Sequence, residues 1–194
     1  LRFDGAAFGL WWENVQSDTI GPDGLVRTIN AGTASNFGLE FGATLALGRF
    51  TLDTALTVQR ARLVDPSAAA GAIGGDDSRL PVVPDLAGRM RAGLDLPLAG
   101  LPLRWSGTLR YVGPARLGFD RALTRSMGEY WLVDAAVSVR RGPWQVALSG
   151  TNLSDSRGDS FSFGNPFSVR TADQHTPLEP RMVILRIARD FSTR

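Results

Sequence analysis

The sequence predicts an all-β chain, folded as an antiparallel up-and-down transmembrane β-barrel wall of about eight strands. Three observations predict it. Apolar and polar residues alternate at period two through at least seven segments. These segments run for about 10 to 14 residues, where strands of soluble proteins average about 5 to 6. The connections between them alternate between short and long, which is the pattern of short periplasmic turns and long external loops in outer-membrane barrels.

The opening segment, Leu1 to Gln16, reads as a strand of ambiguous parity, because Arg2 and Asp4 share a face with Phe8, Leu10 and Trp12. A long loop is expected from Ser17 to Ser35, with Asp23-Gly24 as a turn. The next strand sets Phe37, Leu39, Phe41, Ala43, Leu45 and Leu47 against Asn36, Gly38, Glu40, Gly42, Thr44 and Ala46. After a short turn at Gly48-Arg49, Phe50, Leu52, Thr54, Leu56 and Val58 oppose Thr51, Asp53, Ala55, Thr57 and Gln59. A second long loop, Val64 to Asp85, leads to Leu86, Gly88, Met90, Ala92, Leu94 and Leu96 against Ala87, Arg89, Arg91, Gly93 and Asp95. A short connection from Pro97 to Pro102 precedes Leu103, Trp105, Gly107, Leu109 and Tyr111, which oppose Arg104, Ser106, Thr108 and Arg110. The third long loop is Gly113 to Gly128. It leads to Trp131, Val133, Ala135, Val137 and Val139 and then, past the turn Arg140 to Pro143, to Trp144, Val146 and Leu148. The fourth long loop, Ser154 to Pro180, precedes the last strand, in which Val183, Leu185 and Ile187 alternate with Met182, Ile184, Arg186 and Ala188.

Charge separates the two faces. Eleven charged residues (Glu40, Asp53, Arg89, Arg91, Asp95, Arg104, Arg110, Asp134, Arg140, Arg186, Asp190) fall on one parity, and none falls on the central positions of the other. Arg60, Arg141, Arg181 and Arg189 sit on the apolar parity near strand ends, where an arginine costs roughly 0 to 1 kcal/mol instead of about 2 to 4 kcal/mol at a bilayer midplane. At about 3.3 Å per residue, 11 residues tilted by ~45° climb about 26 Å, close to the ~25 Å apolar band of an outer-membrane barrel. Trp11, Trp12, Phe50, Tyr111, Tyr130, Trp131 and Trp144 stand toward strand ends, as interfacial aromatic girdles require.

Composition excludes several classes of function. The 194 residues contain no Cys and a single His, so thiol nucleophiles, thiolate metal sites and multi-histidine metal centres are absent. No catalytic set, metal site or cofactor is expected. A net charge of +2 is too small for the basic footprint of a nucleic-acid-binding protein. No run approaches the ~18 apolar residues of a membrane helix.

Four short motifs in order carry a resemblance. Asn30-Ala31-Gly32 followed by Gly38-Leu39-Glu40-Phe41 has the form Asn-x-Gly, spacer, Gly-x-Glu-x. Leu80-Pro81-Val82-Val83-Pro84 is a proline-bearing approach to a strand. Asn152-Leu153-Ser154-Asp155 has the form of an Asn-Leu-Phe-Asp corner, with Ser154 in place of the aromatic. Glu179-Pro180-Arg181 leads into alternating apolar residues that end at Phe191, with Arg189 standing where an aromatic usually precedes the last residue by two. In these residues the chain resembles the C-terminal part of the β-barrel of TonB-dependent outer-membrane receptors.

That resemblance implies that residues 1–194 form an arc of a larger barrel of about 22 strands. It implies energy-coupled uptake of a scarce nutrient, such as a ferric siderophore or similar small-molecule chelate, through a plugged barrel. The partners it implies are the outer-membrane bilayer, the barrel-assembly machinery reading the C-terminal strand, and an inner-membrane energy-coupling protein acting through a plug outside this segment. One alternative is a complete eight-stranded outer-membrane barrel with a structural or adhesive role, to be distinguished by whether the first strand pairs with the last; another is a soluble β-sandwich binding module, in which Leu52, Leu94 and Val137 would pack together in a shared interior.

Two constellations are candidate ligand contacts. Arg89, Arg91, Arg104 and Arg110 lie on two strands joined by a short turn, where they are expected side by side on the wet wall. There they can attract the carboxylates of iron chelates, or pair with Asp53, Asp95 or Asp134 or with acidic groups on a plug. Phe161, Phe163 and Phe167, with Asn165-Pro166, place three aromatics in an external loop, able to stack on a substrate or on one another. His175, Asp76-Asp77 and Arg79 read as solvated loop residues. Gly71 to Gly75 lies in a flexible run with no helix signal after it, so no phosphate cradle is expected.

Overall fold

The structure is a computed structural model and describes residues 1–21, 23–74, 78–119, 126–160 and 176–191. It contains β1 (Arg2–Ile20), β2 (Val26–Leu47), β3 (Phe50–Pro66), α1 (Ala68–Ile73), β4 (Leu86–Leu98), β5 (Leu101–Val112), β6 (Ala115–Arg116), β7 (Ser126–Met127), β8 (Tyr130–Arg141), β9 (Trp144–Thr151) and β10 (Met182–Arg189). Eight strands form one sheet in the order β1-β2-β3-β4-β5-β8-β9-β10, and every adjacent pair is antiparallel. The sheet is a single open layer. β1 pairs with β2, β10 pairs with β9, and the two edge strands are not joined to each other among the described residues. The closed eight-stranded alternative is therefore not the architecture observed.

Turn chemistry and alternation set the register. At one end, three hairpins close over two residues each, with Leu47 opposite Phe50, Leu98 opposite Leu101 and Arg141 opposite Trp144. Ala99 and Gly100 both take positive φ (50° and 77°), as a tight two-residue hairpin turn requires. From these turns an apolar row runs across six strands: Phe50, Leu94, Trp105, Val137, Leu148 and Leu185 are successive cross-strand partners. Leu52, Leu94 and Val137 are half-buried and lie outside the buried core, so no second layer covers this face among the described residues. Pairing also settles the parity of β1. Phe3, Gly5, Ala7 and Gly9 face Ala43, Phe41, Leu39 and Phe37 on the apolar side, which leaves Arg2, Asp4, Phe8 and Leu10 on the polar side.

The expected loop from Ser17 to Ser35 is instead strand. β1 and β2 stay paired as far as Ile20 and Val26, and the turn beyond them includes Asp23-Gly24. At 22 residues and ~45° tilt, β2 climbs about 50 Å, roughly twice an apolar band of ~25 Å. Above the bilayer height no lipid selects one apolar face, so alternation ends while the hydrogen-bonded ladder continues. Register shifts at Trp12/Val15 and Thr33/Ala34 mark the change.

The buried core sits at this far end, away from the two-residue turns. Ala34, Ala61 and Leu63 of the polar face pack with Ala31, Ala70, Leu80 and Phe119. Segments between strands thus fold over the polar side of β2 and β3. The run from Ala68 was expected to be flexible, but it forms α1, because alanine is a strong helix former and Ser67 caps the helix by accepting from the Ala70 amide at 3.2 Å. The expected loop Gly113 to Gly128 likewise contains the β6–β7 ladder.

Candidate functional site

The polar face of β4 and β5 carries the arginine cluster, and register decides which of its members meet. Arg89 and Arg110 are direct cross-strand partners, and Arg91 lies two residues along, opposite Thr108. Arg104 does not join them. It stands opposite Asp95, six residues from Arg110 and so about 20 Å away along the strand. There its Nε donates to Asp95 Oδ1 at 2.8 Å. The expected side-by-side set is corrected to Arg89, Arg91 and Arg110.

Within that set the arginines differ. Arg110 donates to Asp134 Oδ2 at 3.1 Å. Arg89 and Arg91 are exposed, and their side chains make no hydrogen bond or ion pair among the described residues. Arg91 is opposite Asp53 in register, but Asp53 instead accepts from Thr44 Oγ1 at 3.1 Å. The wall therefore offers two adjacent guanidinium groups whose donors meet no acceptor among the described residues, a geometry suited to a carboxylate or other oxyanion.

Above this wall, Asn30 and Gly32 fasten α1. Asn30 Oδ1 accepts from the Gly32 amide at 2.8 Å, Asn30 Nδ2 donates to Asn14 Oδ1 at 2.8 Å, and the Asn30 carbonyl accepts from Ser67 Oγ at 2.6 Å. Gly32 has φ +111°, and a Cβ there would strike the Asp65 carbonyl oxygen. Gly38 leaves room for the Phe8 ring, which crosses it on the polar face. Glu40 is exposed on that face, between Ala6 and Thr57. Sequence reasoning missed Asp4 as a companion: its carboxylate lies over Gly42, two residues along β2 from Glu40. The missing signal was the parity of β1.

At the end of β9, Asn152 forms a corner. The residue is 3% exposed, and its side chain accepts from the Ser156 amide at 2.9 Å while donating to the Ser156 and Glu179 carbonyls at 2.9 and 2.8 Å. Its own amide donates to Asp134 Oδ1 at 3.0 Å. Ser154, in the position of the expected aromatic, donates through Oγ to the Trp131 carbonyl at 3.1 Å. Asp155 holds φ +53° and stands 3.9 Å from Arg181, beyond Pro180. After β10, Phe191 is 79% exposed, and the Arg189 guanidinium lies 4.9 Å from its ring centroid and 5.3 Å from that of Trp144.

Phe161, Phe163, Phe167 and His175 lie outside the described residues, as do Asp76 and Asp77. Arg79 pairs with Arg62 through a backbone bridge that extends the edge of β3.

Residues 1–153 match the family model described as TonB dependent receptor-like, beta-barrel. No curated protein matches the chain. Among solved structures, the ferric yersiniabactin uptake receptor FyuA from Yersinia pestis superposes with a TM-score of 0.78 at 19% identity, over 98% of this chain and 27% of that one. The ferric-catecholate import receptor Fiu from K12 E. coli, in its closed form, gives 0.71 at 21% identity, over 97% of this chain and 25% of that one. The siderophore receptor PiuA from Acinetobacter baumannii gives 0.70 at 17% identity, over 96% and 26%. The chain thus spans about a quarter of the length of the structures it matches.

Proposed function

Because the chain belongs to the TonB-dependent receptor β-barrel family, we propose that it supplies eight consecutive strands to a plugged outer-membrane barrel of about 22 strands that imports a ferric chelate. The observation that carries this reading is the open sheet with one continuous apolar face. A lipid-exposed sheet cannot leave its edges unpaired, since each unsatisfied backbone group in hydrocarbon costs several kcal/mol. The edges of β1 and β10 therefore call for further strands, and the apolar row from Phe50 to Leu185 for acyl chains.

In this arrangement the two-residue turns lie on the periplasmic side and α1 and the β6–β7 ladder stand at the outer mouth. The polar face becomes the lumen. Arg89 and Arg91 then attract an anionic chelate toward the plug, and the aromatics Phe161, Phe163 and Phe167 belong to the outer loop that meets it first. The uptake receptors with the same fold support iron chelates as the substrate class. Energy reaches such a barrel through its plug from an inner-membrane protein, and the strand ending at Phe191 is the segment offered to the assembly machinery.

The test is uptake of radiolabelled iron by cells carrying the full-length receptor. The double substitution Arg89→Gln with Arg91→Gln should slow transport of carboxylate-bearing chelates about tenfold at limiting concentration while leaving the amount of folded receptor unchanged. Uptake unaffected by the double substitution would remove the arginines from the pathway, and no chelate dependence of any kind would remove the transport reading.

A further inference from the structure

On the apolar face, the turn between β8 and β9 gathers charge where the sequence pattern calls for lipid. Arg141 is opposite Trp144, and Trp144 is opposite Arg189, so three neighbouring strands present Arg, Trp, Arg in one row. With strands ~4.8 Å apart, the two arginine Cα atoms stand about 10 Å from each other. Next to this row is a groove of about 490 Å³ lined by Leu101, Val139, Arg141, Gly142, Trp144 and Val146.

The side chains of Arg141 and Arg189 make no hydrogen bond or ion pair among the described residues. The Arg189 guanidinium carbon lies over the rings of Trp144 and Phe191, 5.3 and 4.9 Å from their centroids. A cation–π contact gives the guanidinium N–H donors no oxygen acceptor. The arginine of the same turn that points to the polar face behaves otherwise: Arg140 donates to Asp190 Oδ2 at 3.2 Å and to Gln145 Oε1 at 3.2 Å.

We propose that Arg141, Trp144 and Arg189 form a binding site for the headgroup of an anionic phospholipid in the periplasmic leaflet, with the adjoining groove taking an acyl chain. The proposal rests on the membrane reading above. Charge complementarity selects the occupant. Two cations with no ion-pair partner among the described residues, at headgroup depth, match a phosphodiester with no compensating ammonium, the apolar groove beside them matches hydrocarbon, and Trp144 sits between as an interfacial anchor.

The test uses the full-length receptor in detergent, exchanged with phosphatidylglycerol or phosphatidylethanolamine, with retained lipids counted by native mass spectrometry. The receptor should hold one phosphatidylglycerol in preference to phosphatidylethanolamine. Arg141→Gln and Arg189→Gln should each lower that preference about fivefold, and the two together about 25-fold, while Arg140→Gln leaves it unchanged. Equal retention of the two lipids, an equal loss in Arg140→Gln, or displacement of phosphatidylglycerol by inorganic phosphate would overturn the site. Total lipid carried reports separately on the barrel: abundant but unselective lipid overturns the site alone, and a receptor that carries no lipid overturns the membrane reading with it.

Discussion

Ser67 Oγ donates to the Asn30 carbonyl at 2.6 Å while accepting from the Ala70 amide at 3.2 Å, so one hydroxyl both starts α1 and ties it to β2. The Ser67 amide adds a second tie at 2.9 Å, to the Ala31 carbonyl. A two-residue stretch of the wall thereby determines where a helix sits over the polar face.

Ser67→Ala should cost about 1 kcal/mol locally, the usual loss for an N-cap, without opening the barrel wall. Hydrogen exchange at the amides of Gly71 and Gly74 should quicken, with the β2–β3 ladder below Asn36 unchanged. Gly32→Ala should be worse, by about 1 to 2 kcal/mol, since it adds a Cβ at positive φ against the Asp65 carbonyl. Equal exchange rates in wild type and both variants would show that α1 is held by its buried alanine and not by this tie.

Asp134 joins the arginine wall to the Asn152 corner, accepting from Arg110 with one oxygen and from the Asn152 amide with the other. Its two partners should respond unequally. Arg110→Ala leaves a carboxylate that water can reach and should cost about 0 to 1 kcal/mol. Asp134→Ala strands the amide of a residue that is 3% exposed and should cost about 1 to 3 kcal/mol. Asn152→Ala, which removes partners from Ser156 and Glu179 together, should exceed both. Guanidinium unfolding of the three variants in lipid vesicles gives the order, and an Arg110 variant as unstable as the Asp134 variant would contradict it.

Alternation made the apolar row legible because lipid imposes it: Leu94, Trp105 and Val137 each sit on a strand whose other parity is charged. The same physics hid the upper part of β2. Thr28, Ile29 and Asn30 stand above the lipid, so nothing orders them by polarity, and only backbone pairing with Gln16, Ser17 and Asp18 reveals a strand. The faces of β1 were illegible for a related reason, because Phe8 packs over Gly38 on the polar side and so mimics a lipid-facing residue. The arginine set was half legible. Sequence placed all four on one face, but the distance between Arg104 and Arg110 is a matter of register along the hairpin, which composition does not encode.

The β1–β2 hairpin should loosen in acid. The Leu25 amide and the Arg27 guanidinium both donate to the Asp23 carboxylate, and the backbone bond chiefly holds its pKa below the usual value of 3.8. A depressed carboxylate pKa stabilises the folded turn above the unfolded value, and that contribution is lost as the pH falls through the folded one. Exchange-broadening of the Leu25 amide should therefore appear only on the acid side of the ordinary carboxylate range. Asp23→Asn should abolish the pH dependence, and a transition centred near neutrality would point to another group.

The two faces of β8 allow the membrane reading to be tested with adjacent residues. Val137 lies between Trp105 and Leu148 on the apolar side, and Ala136 lies between Ser106 and Ser149 on the polar side. Val137 is four residues from Arg141 and so about 10 Å above the turn rim, near the middle of a ~25 Å apolar band. Val137→Arg should destabilise the folded receptor by about 2 to 4 kcal/mol in phospholipid vesicles, whereas Ala136→Arg should cost less than about 1 kcal/mol because water or a plug faces it. Tryptophan fluorescence across a guanidinium titration measures both. If the two arginines cost the same, the apolar face does not meet acyl chains, and the case for a barrel wall fails with it.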